Sequence, residues 1–183
     1  MIEGIKQKLD YGDLAHIPPD RNRYELSEGD LHVTPSPSPS HQWVSKQLQR
    51  QLEAYFESDR GGRVFNAPID VILTPHDVFE PDLVVVTDRS QITRRAIEGP
   101  PALVVEIISE WTLSYDRTTK SRRYAAFGID HYWIVDGAQR SVECYRRHGA
   151  AYVTVARHTG ARRFDHPDFP GLTVDMTPLW TEP

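Results

Sequence analysis

Leu103-Val104-Val105-Glu106-Ile107-Ile108 is the most hydrophobic run of the chain, and it carries a carboxylate at its centre. A short apolar run of this kind reads as a core strand covered on both faces. Side chains alternate along a strand, so Val104, Glu106 and Ile108 face one way and Leu103, Val105 and Ile107 the other. A carboxylate there loses hydration at considerable cost unless something pairs with it. A metal ion is one natural partner. A second run, Pro81-Asp82-Leu83-Val84-Val85-Val86, opens on an acid just after a proline, which is tolerated where a strand begins. If these strands pair, Asp82 and Glu106 reach one point. Two carboxylates with a backbone carbonyl and waters make a hard-oxygen site for Mg²⁺ or Mn²⁺.

Downstream lysine is scarce. The chain has 17 arginines but four lysines, and Lys120 is the one beyond residue 46, early on the helix that follows the Glu106 strand. A compact ammonium orients a water and neutralises charge building on a phosphate, work for which arginine's planar fork is less suited. The other reading of Lys120 is an ion pair with Asp116 at i,i+4 spacing, worth a few tenths of a kcal/mol.

Around these segments the pattern is that of one mixed domain. Residues 1–20 read as a loosely organised lead-in and 21–183 as a single domain. Arg23 to Leu26 and Leu31 to Thr34 read as an N-terminal hairpin turned at Ser27-Glu28-Gly29-Asp30. After the stiff Pro35 to Ser40 segment, Ser40 is the expected N-cap of a helix with Val44, Leu48, Leu52, Tyr55 and Phe56 on one face, ended by Gly61-Gly62. Strands are expected at 63–66, 69–73, 81–86 and 103–108, with Pro75-His76-Asp77 as a turn. A helix follows at 114–127, stopped by Gly128. His131 to Val135, Val142 to Arg146 and Tyr152 to Val155 read as a C-terminal meander, and Pro170 to Val174 as a last strand-like piece. Strands flanked by two real helices give an α/β (α+β) fold with a mixed sheet.

Net charge of −5 and a pI near 5.9 argue against an avid nonspecific nucleic-acid binder but leave room for a local basic patch. Cys144 is the only cysteine, so no internal disulfide forms and a reducing, cytoplasmic setting fits. No run approaches the ~20 apolar residues of a membrane span, and the first residues lack an apolar stretch of signal-peptide length.

The combination of Glu80-Pro81-Asp82-Leu83, the Leu103 to Ser109 run, Asp116 with Lys120 and Tyr124, and Gly128-Ile129 with Tyr132 to Asp136 resembles the Uma2 family. That family is of restriction-endonuclease type, within the PD-(D/E)XK nuclease superfamily. Tyr24-Glu25-Leu26 with Gly29, Pro37-Ser38 with His41, and Pro170-Gly171-Leu172 extend the resemblance over roughly residues 21 to 180. The resemblance implies a restriction-endonuclease-like mixed central sheet flanked by helices, with Asp82, Glu106 and Lys120 as the catalytic residues. The ion would sit on Asp82, Glu106 and the Ile107 carbonyl, and the assembly implied is a homodimer acting on DNA. The superfamily's lysine usually follows the acid in an E-x-K pattern; here that position is Ile108, and Lys120 on the next helix matches the family's own placement. Two departures concern substrate contacts and local geometry. Ser109-Glu110-Trp111 stands where Ser-Pro-Ser is common, and Thr119 where a glutamate is common.

Secondary candidates each carry two readings. Glu25 approaches the site or lies in a surface turn. His41 touches a phosphate or caps a helix. Asp70 reaches a metal or is a lone exposed acid. Asp116 orients Lys120. Tyr124 holds the lysine or substrate, or packs as an aromatic. Three functions follow: a Mg²⁺- or Mn²⁺-dependent DNA endonuclease, a weak or inactive nuclease-fold protein that binds nucleic acid or a protein, and a metal-free hydrolase using Asp82 and Glu106 as an acid–base pair.

Overall fold

The computed structural model describes residues 8–18, 20–58 and 60–181. Helix α1 (Tyr11–Leu14) is capped by Asp10, whose side chain accepts from the Gly12 and Asp13 amides. Strands β1 (Asn22–Ser27) and β2 (Asp30–Pro35) pair antiparallel through a two-residue turn. Glu28 and Gly29 there hold φ of 55° and 79°, the handedness that matches the twist of the strands. Helix α2 (Pro39–Phe56) follows, then β3 (Arg63–Asn66), β4 (Val71–Thr74), β5 (Asp77–Phe79), β6 (Leu83–Val86), β7 (Ile97–Glu98) and β8 (Leu103–Ile108). The next helix is continuous: α3 (Leu113–Tyr115), a π-helical turn (Asp116–Lys120) and α4 (Ser121–Ala126). The meander β9 (His131–Asp136), β10 (Ser141–His148) and β11 (Ala151–Thr159) comes next, and β12 (Arg163–Asp165) pairs with β13 (Thr173–Asp175).

A five-stranded sheet runs β2-β1-β5-β4-β7, and a six-stranded sheet runs β11-β10-β9-β8-β6-β3. In the larger sheet β8 lies parallel to β9 and antiparallel to β6, so the sheet is mixed, as expected. The alternation read along β8 holds. Leu103, Val105 and Ile107 join the core beneath α2, with Leu48, Leu52 and Trp133; Val104 and Ile108 join the opposite cluster with Tyr124, Tyr132 and Ile134. A fully buried leucine such as Leu48 or Leu52 contributes about 2 kcal/mol through burial. Glu106 therefore lies on the face covered by the α3–α4 helix, and Cys144 is buried in the core.

Several local expectations change. The cap of α2 is Ser38, whose Oγ accepts from the His41 amide, because Pro39 already holds helical geometry at the first position; Ser40 lies inside the helix. The helix ends at Phe56, before Gly61-Gly62, and the Gly62 amide returns to the Phe56 carbonyl. Asp77 belongs to a strand, not a turn: its carboxylate takes bonds from Thr74 Oγ1, the Glu28 amide and Arg123, which fixes it against the first hairpin. The lead-in, beyond residues 1–7, which lie outside the described residues, is tied down where Leu9 and Tyr11 amides bond to Gly29 and Pro75 carbonyls. Strands β5, β7 and β12 were not expected, being two or three residues long. Among the described residues no helix is long and apolar enough to cross a membrane.

Candidate active site

The register Leu83↔Val105, continued by one residue, sets Asp82 beside Glu106. Pairing with β6 stops there, so the β8 edge is open from Glu106 onward. The Ile107 amide fills the gap by donating to Asp82 Oδ2 at 2.8 Å. In a strand the amide and carbonyl of one residue project to the same edge, so the Ile107 carbonyl points the same way. Asp82 Oδ1 accepts from Arg23 Nη1 at 2.7 Å, and His41 Nε2 stands 3.1 Å from Oδ2.

Glu106 meets the helix. Its Oε1 accepts from Lys120 Nζ at 3.0 Å and from the Tyr124 hydroxyl at 2.8 Å. Lys120 Nζ also lies 2.8 Å from Glu25 Oε1 and 3.4 Å from Asp116 Oδ1. Asp116, Lys120 and Tyr124 recur every four residues and turn inward together, and the π-helical turn ends on Lys120. Such turns are frequent at functional sites. Glu25 comes from β1, two residues after Arg23 and on the same face; its Oε1 also accepts from the Glu80 amide.

Apart from Tyr124, which lies behind Glu106, these groups line a cleft of about 720 Å³. Lys120, Glu106 and Glu25 are 5%, 3% and 1% exposed. Carboxylates outnumber cations: Glu25, Glu80, Asp82, Glu106 and Asp116 face Lys120 and Arg23. Burial works against the charge on Lys120, but Glu106, Glu25 and Asp116 outweigh it and hold its pKa well above the usual lysine value. One ammonium cannot satisfy three acids. Burial, with repulsion from Asp116, Asp82 and Glu25, therefore raises the Glu106 carboxyl well above the carboxylate range despite Lys120. Asp82 goes the other way, because His41 and Arg23 overcome its burial and lower its pKa. Glu80, half-buried at the mouth, is pushed up to about 7 by desolvation and by Asp70 and Glu25, against Arg23.

Of the residues singled out by sequence, Asp82, Glu106, Lys120, Ile107, Glu25, His41 and Asp116 line this cleft. Asp70 does not; it accepts from the Tyr11 hydroxyl at 3.0 Å. Glu25 is buried in a strand, not in a surface turn. His41 is turned to Asp82, and its backbone, not its ring, takes part in the helix cap. Tyr124 both packs, edge-on to Phe79 and Tyr132, and holds Glu106. The residue missed is Arg23. Strand alternation with Glu25 was its signal, but nothing in the sequence marks which of many arginines meets an acid.

Among the described residues no three His, Cys, Asp or Glu side chains converge as a metal-ligand cluster. The donor chemistry nonetheless suits a hard cation. Glu25 Oε2 is a buried oxygen that accepts no hydrogen bond, and Asp116 Oδ1 has only the Lys120 ammonium, 3.4 Å away, in a site with an excess of negative charge.

A family model described as "Uma2: Putative restriction endonuclease" matches residues 10–177, so the match begins earlier than residue 21. No curated protein matches the chain. Among solved structures the fold is similar to that of a protein described as a putative nuclease belonging to DUF820 from Anabaena variabilis ATCC 29413. The TM-score is 0.75 at 19% identity, covering 94% of this chain and 97% of that one.

Proposed function

This chain belongs to the Uma2 family, a nuclease family, and we propose from that premise that it is a divalent-metal-dependent endonuclease hydrolysing phosphodiester bonds of DNA. The observation that carries the reading is the Lys120 ammonium held between Glu25 and Glu106, beside Asp82, at the floor of an open cleft. Asp82, Glu106 and the Ile107 carbonyl are the groups that would hold Mg²⁺ or Mn²⁺. When bound, such an ion supplies Lewis acidity toward phosphate oxygens and acidifies water.

The roles of the chain's own groups follow from their charge. Lys120 keeps its proton, so it serves as a donor that orients the attacking water and stabilises negative charge on the phosphoryl oxygens. Glu106, held by Lys120, would be ionised as a ligand of the cation, whose charge favours the carboxylate form. Tyr124 fixes the Glu106 carboxylate, and Asp116 fixes Lys120. Arg23 and His41 keep Asp82 ionised. The metal-free acid–base alternative gives Lys120 no part, whereas here it is the centre of the cluster.

The test is cleavage of circular DNA, single-stranded and double-stranded in parallel, with Mg²⁺ or Mn²⁺ by wild type, Asp82→Ala, Glu106→Gln and Lys120→Ala. The expected result is loss of cutting by about 10²-fold or more in each variant. Equal cutting by all four proteins would sink the assignment. A second reading, a nuclease-fold protein that binds without cutting, is favoured by one observation: Arg23 and His41 already occupy both oxygens of Asp82. Calorimetric titration separates the two, since the second predicts no divalent-ion binding at millimolar concentration.

A further inference from the structure

We propose that Trp111 is a stacking platform for a base of a single-stranded polynucleotide, so that the site acts on single strands rather than on duplex. The proposal rests on the nuclease reading and specifies its substrate. Trp111 is 83% exposed, far above the next most exposed large apolar side chain among the described residues, Val33 at 50%. Burying a tryptophan is strongly favourable, so one held out in water at the mouth of a cleft points to a ligand. It has no ring partner among the described residues.

Its position is built. The turn that carries it leaves β8 three residues after Ile108 and is closed by Ser109 and Thr112: the Ser109 amide donates to Thr112 Oγ1 at 3.1 Å, and the Thr112 and Leu113 amides return to the Ser109 carbonyl. The same strand carries Glu106, and Trp111 lines the same cleft as Asp82, Glu106 and Lys120. It also stands where the family resemblance leads to serine, which makes it a feature of this chain.

Size and charge favour a single strand. A cleft of about 720 Å³ is on the scale that takes a small molecule or one nucleotide, and the reacting groups are recessed at its floor. A duplex is stiff and is held chiefly by many lysine and arginine contacts to phosphate. Here Arg23 and Lys120 are committed to carboxylates, leaving Arg140 as the cation among the described cleft residues without one, and the chain carries a net charge of −5. Single strands are also tracked by basic groups, but stacking on aromatic faces supplies a further share of the affinity, because every base has a face to stack.

The experiment is fluorescence anisotropy with labelled strands of DNA, matched RNA and a duplex of equal length, in Ca²⁺ in place of Mg²⁺. It compares wild type, Trp111→Phe and Trp111→Ala, with thermal melts to establish that the variants fold. Wild type is expected to bind a single strand more tightly than duplex. Trp111→Ala should lose about 5- to 150-fold in affinity for the single strand, the range for one base–aromatic stack, and Trp111→Phe should keep most of it. Preference for DNA or for RNA identifies the sugar, and either supports the platform. Equal single-strand binding by Trp111→Ala and wild type, or tighter binding of duplex, overturns it. If wild type cuts circular DNA while Trp111→Ala binds and cuts alike, the platform alone falls. If wild type neither binds nor cuts any strand, the nuclease reading falls with it.

Discussion

Lys120 is buried among Glu25, Glu106 and Asp116, and this sets opposite expectations for two substitutions. Lys120→Met removes the cation from three buried acids and should cost about 3–5 kcal/mol, the usual penalty for orphaning a buried partner. Asp116→Asn should do the reverse. It removes a buried charge whose carboxyl is raised by burial and leaves Lys120 paired with the nearer Glu25 and Glu106, so it should stabilise the protein by about 1 kcal/mol while slowing catalysis. Thermal melts of both variants check the pair. At this scale the sequence was informative about Asp82, Glu106 and Lys120, since an acid in an apolar strand and a lone downstream lysine are local signals. Arg23 and the His41–Asp82 contact were not legible, because each spans a separation in sequence that only the folding of β1 and α2 against β6 closes.

Among the elements, the helix from Leu113 to Ala126 supplies Asp116, Lys120 and Tyr124 to the site, and its end depends on Gly128. Gly128 holds φ of 87°, and its amide and that of Ile129 return to the Ala125 and Tyr124 carbonyls. A Cβ there would meet nothing within 4 Å, so Gly128→Ala tests backbone strain alone and should cost about 1 kcal/mol in denaturant unfolding. Strong periodicity made the long elements legible. Short strands such as β5 and β7 were not, because two or three residues carry no period, and their pairing is set by tertiary partners such as the Asp77 carboxylate. The Ser38 cap was missed for a smaller reason: Pro39 moves the helix start two residues earlier than the apolar face implies.

For the whole molecule, acid should weaken the fold through His166, which lies in the segment linking β12 to β13. His166 is 3% exposed and stacked on Trp133 at 5.0 Å. Burial, helped by His131, pushes its pKa down to about 4 from 6.5. Between those values the unfolded chain binds a proton that the folded protein refuses. Stability contributed by His166 is therefore present above about pH 6.5 and is lost as pH falls toward 4, by at most about 3 kcal/mol. Glu80 acts with the opposite sign, since its raised carboxyl favours the fold below the ordinary value of 4.5 and loses that benefit as pH rises to about 7. Comparing melts of wild type and His166→Phe from pH 7 to pH 4.5 isolates the histidine: the variant should show the shallower loss as pH falls.

Under the proposed function, Asp82 and Glu106 share a divalent ion in the cleft beside Lys120. A crystal soaked in Mn²⁺ and measured for anomalous scattering tests it most directly. A peak is expected between the Asp82 and Glu106 carboxylates, absent from Glu106→Gln crystals. A well-ordered site with no peak in wild type, or the same peak in Glu106→Gln, would contradict it.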